Sequence, residues 1–453
     1  MAVMRWHTCC DMWCTALFGR GRFTVQVQFW QTGGIPHEPW QLRQHRSGAA
    51  GAGEGGGVHR TDHERIHMLS VSVREPENVL DPAHFDSVRR PWDQAETMPP
   101  WTYTSQRFFE AERDRIFFRH WNCIGHHSKV PDAGSYYTFD FIGVPLIVVR
   151  GDDMQVRAFV NSCAHRGAEV MTGAGQCKFM KCPYHAWAFD LKGQLFATPL
   201  VDESACFKKA EHGLRQVKLE LFDGLMWINL DPASCSLAEH LGDLPERTRP
   251  WKADEMVCVN RTELTVNANW KLFSENFSDG LHVPFVHQTS IAKKKVSKRD
   301  FHDPAVFKGN YLMHYTYFDG TRGVPEGERK LPEIDLPPEM RLGTFFPVVH
   351  ANALMGYAID SMSVHEVHPI SPTETLLVSS MMVPRASTQI DDFDKIIAKY
   401  AETSNTVRAE DREAAQWQQR GLRSLVNRRG CFTEPDRLVH DYDRWIVDQV
   451  LGA

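Results

Sequence analysis

Cys163-Ala-His165-Arg-Gly167 and Cys182-Pro-Tyr-His185, with sixteen residues between His165 and Cys182, decide what the middle of this chain folds around. Each short stretch offers one thiolate and one imidazole. Two thiolates and two imidazoles meet the four-ligand demand of a [2Fe–2S] cluster with Cys on one iron and His on the other. Because each Cys/His pair is close in sequence, each loop serves both irons. Neutral imidazole ligands raise the reduction potential and permit proton-coupled electron transfer. The competing reading is a four-ligand zinc site. Zinc favours C-x2-C or H-x3-H hooks, and C-x-H is unusual there. Cys177, between the loops, reads as a packed thiol.

Working outward, the loops sit among short β-type runs broken by Gly and Asp: Tyr136–Phe141, Pro145–Arg150, Val156–Asn161 and Met226–Leu230. These define a small all-β module over residues 121–230. Residues 68–120 form an N-terminal part, in which Ser105–Trp121 places Phe108, Ile116 and Phe117 at near-helical spacing after a Thr/Ser start. Residues 231–453 mix helices and strands. Tyr311–Phe318, Ser363–Val367 and Thr375–Val383 read as strands, and Lys395–Leu425 as mainly helical.

The chain has 453 residues, which suggests two or three domains. At 42% hydrophobic it can bury sizeable cores, and a formal charge of −6 favours neither a nucleic-acid footprint nor an acidic tail. The 11 cysteines are not clustered as in disulfide-stapled domains, which fits a reducing, cytoplasmic setting. No apolar run approaches the roughly 18 residues of a membrane span. Residues 1–67 differ from the rest. They hold Cys9, Cys10, Cys14 and a Gly-rich stretch from Gly48 to Gly57. They read as disordered, with two explanations open: a transit peptide leading to an organelle, or a gene start extended beyond a true initiator at Met68. The Gly51–Gly57 run is no nucleotide loop, because no strand precedes it and no helix comes after it.

A second signal is Asn269-Trp-Lys-Leu-Phe-Ser-Glu-Asn276-Phe-Ser-Asp279-Gly-Leu-His282-Val-Pro-Phe-Val-His287. Asp279 and His282 are three apart, which on a helix puts them on one face. A break at Pro284 then aims His282 and His287 into one pocket. Two His and one carboxylate make the facial triad that holds ferrous iron and leaves positions open for dioxygen. A pair of satisfied structural histidines is the alternative.

CAHRGAEV…CPYHAWAFD resembles the Rieske domain of ring-hydroxylating oxygenases and related enzymes, and the second run matches that family's pattern NWK-x3-EN-x2-D-x2-H-x4-H. The Rieske proteins of respiratory complexes differ, carrying an extra cysteine in each loop where this chain has residues such as Ala168. Two departures stand out. Ala186 replaces the usual Gly before Trp187, which is tolerable where the backbone keeps φ negative, and Leu281 replaces a frequent Tyr. The resemblance implies an α+β chain: an all-β Rieske domain and an α+β catalytic domain whose antiparallel sheet is flanked by helices, helix-grip-like. It implies cluster ligands Cys163, His165, Cys182 and His185, and iron ligands His282, His287 and Asp411. Asp411 comes from the helical run Arg408-Ala-Glu410-Asp411, with Glu410 as the alternative, since neighbouring helix positions point ~100° apart. Asp279 becomes a bridge, bonded to His282 of its own iron and to the counterpart of His185 in a neighbouring chain, which makes a head-to-tail homotrimer.

The resemblance further implies a terminal oxygenase that uses cluster-delivered electrons and O2 at a non-haem Fe(II) to mono- or dioxygenate a small organic molecule. No flavin or nicotinamide fingerprint is present. Electrons from NAD(P)H therefore arrive through a separate reductase, with or without a ferredoxin. Candidate substrates are aromatic compounds, as in aromatic catabolism, and the quaternary amines choline, betaine and carnitine. Tyr311, Met313, Tyr315 and Tyr317 share a strand face, and read either as core or as part of an aromatic box for trimethylammonium. The alternative function is a Rieske electron-transfer protein with a vestigial second site.

Overall fold

The computed structural model describes residues 75–291, 296, 298–301, 308–424 and 426–452, together with two short strands nearer the N-terminus. The chain divides between His59 and Arg60. In the first unit, Thr15–Ala16 (β1) pairs antiparallel with Val25–Gln26 (β2); the other expectations for residues 1–67 lie outside the described residues.

In the second unit, Ser105 caps α1 (Gln106–Glu112) by accepting from the Phe108 N–H at 3.0 Å, and a π-turn over Arg113–Phe117 continues it. Phe108, Ile116 and Phe117 are buried, as their spacing predicts. Ten strands come next: Asn122–His126 (β3), Ser135–Phe141 (β4), Val144–Arg150 (β5), Val156–Val160 (β6), Ala174–Gln176 (β7), Met180–Lys181 (β8), Ala188–Phe189 (β9), Leu195–Ala197 (β10), Gln216–Phe222 (β11) and Leu225–Asn229 (β12). Seven of them form an antiparallel sheet in the order β3-β12-β11-β6-β5-β4-β7, and β10-β9-β8 form a second, small one.

The loop after β6 carries Cys163 and His165, and the loop between β8 and β9 carries Cys182 and His185. The two loops close alike. Gly167 N–H donates to the Cys163 carbonyl at 2.9 Å and Cys163 N–H to Ala168 at 2.8 Å. Ala186 N–H donates to Cys182 at 3.1 Å and Cys182 N–H to Trp187 at 2.9 Å. The fourth residue after each cysteine is left-handed, Gly167 at φ 75° and Ala186 at φ 58°. The expectation of a negative φ at Ala186 is therefore wrong. The turn geometry dictates the left-handed region, and the alanine adopts it under strain.

After two short helices, α2 (Leu237–Leu241) and α3 (Leu244–Thr248), the chain builds a second seven-stranded antiparallel sheet. Its members are Met256–Val266 (β13), Lys298–Phe301 (β14), Tyr311–Tyr317 (β15), Thr344–Val349 (β16), Ala353–Tyr357 (β17), Met362–Ser371 (β18) and Glu374–Pro384 (β19), in the order β13-β19-β18-β17-β16-β15-β14. Helices α4 (Trp270–Ser278) and α5 (Val283–Val286) leave the sheet after β13, and α6 (Phe393–Leu422) and α7 (Arg437–Leu451) come after β19. Helix α6 packs on β13 and α4 on β18, so the sheet grips its helices. The expected α+β class holds.

Alternation along β15 assigns its faces. Tyr311, Met313 and Tyr315 join a buried cluster with Trp251, Phe345 and Tyr357. The aromatic stripe is core, and the aromatic-box reading is overturned, because the opposite face of the strand turns toward α4 and α6.

A buried polar tie fixes α4. Lys271 Nζ lies 2.5 Å from Glu112 Oε1, with neither side chain exposed. Lys271 also donates to the Thr102 carbonyl at 3.1 Å, and the Trp270 indole N–H to Glu112 at 3.0 Å. One turn on, Glu275 accepts from the Tyr103 hydroxyl at 2.8 Å and lies beside Asp443 of α7. Burial pushes both carboxyls up, Glu275 to about 7 and Asp443 well above the carboxylate range, so the pair holds a proton.

Two measurements check these points. The raised carboxyls stabilise the fold fully below their unfolded value near 4, and that contribution is lost as pH rises through about 7. The urea midpoint should fall as pH rises from about 4 to about 7, by up to ~1.4 kcal/mol of stability per pH unit within that window. Glu275→Gln should flatten the profile; a flat wild-type profile would refute the shared proton. Ala186→Gly should relieve about 1–2 kcal/mol of left-handed strain, less ~0.5–1 kcal/mol for the freer unfolded chain. Thermal unfolding monitored at the loop should then shift upward, and a downward shift would show that the alanine is unstrained.

Candidate active site

Helix α4 starts at Asn269, whose side chain accepts from the Lys271 N–H at 3.1 Å. It stops at Ser278. Asp279 is its C-cap in extended conformation, so Asp279 and His282 do not share a helical face as their spacing suggested. A turn joins them instead. The Asp279 carboxylate accepts from the backbone N–H of Leu281 at 2.6 Å and of His282 at 3.3 Å, and lies 3.2 Å from His282 Nδ1. Pro284 breaks nothing. It occupies the first turn of α5, where a missing N–H costs no bond, and His282 and His287 cap the two ends of that short helix.

These ends bring His282, His287 and Asp411 together. His287 Nε2 is 3.2 Å from His282 Nε2 and 3.0 Å from Asp411 Oδ1, and His282 Nε2 is 3.5 Å from the same oxygen. Behind them, His287 Nδ1 lies 2.8 Å from Glu410 Oε2, as His282 Nδ1 lies against Asp279. When the two imidazoles are neutral, an Nδ1–H on each donates to its carboxylate and leaves a lone pair on each Nε2. Two imidazole lone pairs and a carboxylate oxygen then face one another, an arrangement that repels itself unless a cation sits between them. The donor set fits a divalent first-row metal of the facial-triad kind. Among the described residues this is the one His/Cys/Asp/Glu group tight enough for a single ion.

The local field points the same way. Burial alone would lower His282, but Asp279 and Asp411 outweigh it and hold the imidazole at about 9. Burial would raise Asp411, but its hydrogen bonds with both histidines keep it well below the carboxylate range. Asn276 donates from Nδ2 to Asp411 Oδ1 at 2.8 Å. Glu410 also accepts from the hydroxyls of Thr289 and Ser290. The sequence offered Glu410 only as an alternative ligand. The structure sets it behind His287, and adjacency to Asp411 on one helix was the available signal. Asn276 stood in the quoted motif with no role attached to it.

The three side chains open on a cavity of about 270 Å³ between the sheet and α4 and α6. Phe273, Phe277 and Phe346 supply apolar wall, and His314 and Thr316, from the face of β15 opposite the tyrosines, supply polar wall. Ser and Thr hydroxyls from β18, β19 and α6 complete the lining.

At the other constellation, the Cys163 and Cys182 side chains interact, and both residues are buried. Burial, with Cys182 beside it, raises the Cys163 thiol. The imidazoles lie outside them, with His165 Nδ1 3.2 Å from His185 Nδ1. His165 stacks on Trp187 at 4.5 Å between ring centroids. The two thiols pair inside and the two imidazoles pair outside, and no three of the four are grouped tightly enough for one ion. A pair of thiols and a separate pair of imidazoles match the donor sets of two irons, Cys on one and His on the other.

Comparison with known proteins identifies both domains. Residues 120–208 match the Rieske [2Fe-2S] domain and residues 210–452 the ring hydroxylating alpha subunit (catalytic domain). The 2-aminobenzenesulfonate 2,3-dioxygenase subunit alpha of Alcaligenes sp. is 31% identical over 67% of this chain and 75% of that protein. The carnitine monooxygenase oxygenase subunit of Escherichia coli (strain K12) is 32% identical over 49% of this chain and 60% of its own length. A crystal structure of a quaternary ammonium Rieske monooxygenase with L-carnitine superimposes with a TM-score of 0.66 at 24% identity, covering 79% of this chain and 96% of that one. Among the described residues, no helix is long and apolar enough to cross a membrane. The chain belongs to the alpha subunits of the Rieske ring-hydroxylating oxygenases, terminal oxygenases that work with a [2Fe–2S] cluster, a mononuclear iron and dioxygen.

Proposed function

We propose that His282, His287 and Asp411 hold the mononuclear iron, that Cys163 and Cys182 hold one cluster iron and His165 and His185 the other, and that the substrate, an aromatic compound or a quaternary amine, is oxygenated in the cavity beside the triad. The observation that carries this is the meeting of three lone-pair atoms at 3.0–3.5 Å on the wall of that cavity. Iron bound there supplies dioxygen activation at its open positions, and the cluster supplies electrons one at a time. The protein's own side chains do the rest. Asp279 and Glu410 fix the tautomer and tilt of the two histidines. Asn276 orients the Asp411 carboxylate. Phe273, Phe277 and Phe346 keep water from the reacting face. The relatives named as oxygenase subunits support a separate reductase or ferredoxin as electron donor. Beyond Cys163 and Cys182, the six other described cysteines are unpaired thiols, which supports a reducing compartment such as the cytoplasm.

The electron path runs between chains in this reading. Within one chain, no described hydrogen bond or ion pair joins His165 or His185 to Asp279. Asp279 keeps 23% side-chain exposure while bonded to His282. Beside it Leu281 and Phe285 are exposed, and beside the cluster so are Tyr184 and Phe179. Apolar side chains left in water next to two redox sites support a covering neighbour, and a head-to-tail trimer puts one chain's cluster against the next chain's iron.

Iron analysis of the purified protein should give three irons per chain; two would favour the electron-transfer reading. Asp279→Ala should retain both centres while turnover falls roughly 10–100-fold. Loss of iron, or undiminished turnover, would contradict the bridge. Asp411→Ala should lose one iron of three. Glu410→Gln should keep it with affinity lower by roughly 10–100-fold; complete loss in Glu410→Gln and full retention in Asp411→Ala would reverse the two roles.

A further inference from the structure

Arg408 lies on α6 one turn before Asp411, and its side chain lines the same cavity. It is 5% exposed. Its Nε donates to the Ser404 carbonyl at 3.2 Å, one Nη to the Thr262 hydroxyl and the other to the Asn405 side-chain oxygen. All three acceptors are neutral. Burial lowers its pKa, and no described carboxylate acts in the other direction. A buried guanidinium is ordinarily paired with an acid, because an isolated buried charge is costly. Three of five N–H donors are used here, which leaves one on each Nη, the fork that matches two oxygens of an oxyacid.

Among the described residues, the cavity wall offers no acid to spare. Its carboxylates are Asp279 and Asp411, each bonded to the histidines of the triad. A second guanidinium, Arg322, also lines it. His365, another lining residue, is held neutral at about 4 by burial and by the charge of Arg408, against the opposing pull of Asp411 and Glu366. With metal bound, the Arg408 guanidinium and a divalent cation would face these two carboxylates, so this part of the wall would be left net positive.

We infer that Arg408 is the anion-binding residue of this cavity and that the substrate carries a carboxylate or sulfonate group that pairs with its guanidinium. This rests on the reading of the cavity as the substrate site. It narrows that reading: a molecule whose sole charge is a trimethylammonium meets a positive wall, whereas an aromatic acid, or a betaine entering acid end first, meets its complement. The phenyl rings of Phe277 and Phe346, edge to face at 5.6 Å, receive the apolar body.

The test uses the full-length, iron-loaded, oxidised protein and calorimetric titration with benzoate, benzamide, benzenesulfonate, benzenesulfonamide and benzyltrimethylammonium. Each anion should bind about 10–100-fold more tightly than its neutral isostere, and the cation most weakly. Arg408→Gln should erase the anion-to-neutral ratio and Arg408→Lys should restore part of it, with three irons retained in both. Equal binding of anion and isostere by the wild type, preference for the cation, binding of no anion, or an unchanged ratio in Arg408→Gln would each overturn the assignment. Should Arg408→Gln fail to fold, the wild-type ratio and Arg408→Lys decide. A chain with two irons sinks the oxygenase reading itself, whereas three irons without anion preference sinks only the role of Arg408.

Discussion

Lys271 and Glu112 meet at 2.5 Å where no water reaches either of them, and the catalytic domain is arranged around that pair. Separating two such charges leaves each buried and unpaired, at a cost of ~3–5 kcal/mol. The register of α4 against the N-terminal segment is therefore fixed. The same segment reaches α6, since Gln419 donates to the Tyr103 carbonyl and accepts from the Asn269 N–H. Two turns before Gln419, Asp411 falls opposite Asn276; two turns after Lys271, the helix ends at Asp279. The convergence of three metal-binding atoms is thus set by a polar tie that touches none of them.

Asp279 and Glu410 then do the same job from opposite sides. Each takes the Nδ1–H of one histidine and turns its Nε2 inward. Without an ion, the field concentrated there is answered by a proton on His282. His282 would have to release that proton to hold a metal, which would couple iron affinity to pH through the carboxylates behind the ligands as well as through the ligands themselves.

The legible part of the sequence was whatever sits close along the chain. Cys163/His165, Cys182/His185 and His282/His287 are local pairs, so their spacing alone restricted the chemistry. Asp411 is 124 positions beyond His287, and spacing gave no access to it; the family pattern of an acidic pair on a late helix did. Conformation was less legible than composition. Asp279 and His282 looked helical because three-residue spacing is ambiguous between a helix face and a turn, and only the hydrogen bonds of the Asp279 carboxylate to two backbone N–H groups distinguish them. Ala186 looked like a residue avoiding a left-handed turn because the sequence does not record which loop bonds must close. On β15 the conspicuous tyrosines drew attention to the wrong face. The informative residues were His314 and Thr316, polar side chains in a strand buried on both sides, which have reason to be there only if something polar faces them.

Exposure runs in opposite directions at the two centres. At the assigned cluster the thiols are 4% and 2% exposed and the imidazoles face outward, so under the proposed assignment electrons would cross the protein surface through imidazole edges. At the triad, His287 is 2% exposed and the open side is a cavity, so under the same assignment the substrate would be met inside the domain. A surface path for electrons and an interior path for substrate need one group belonging to both. Asp279 has that position: it is bonded to a triad histidine, lines the cavity, and keeps part of its carboxylate at the surface. Placing the connection in a short turn after α4, and not within the helix, lets a single carboxylate face inward and outward at once, which a residue locked on the buried face of α4 would not do.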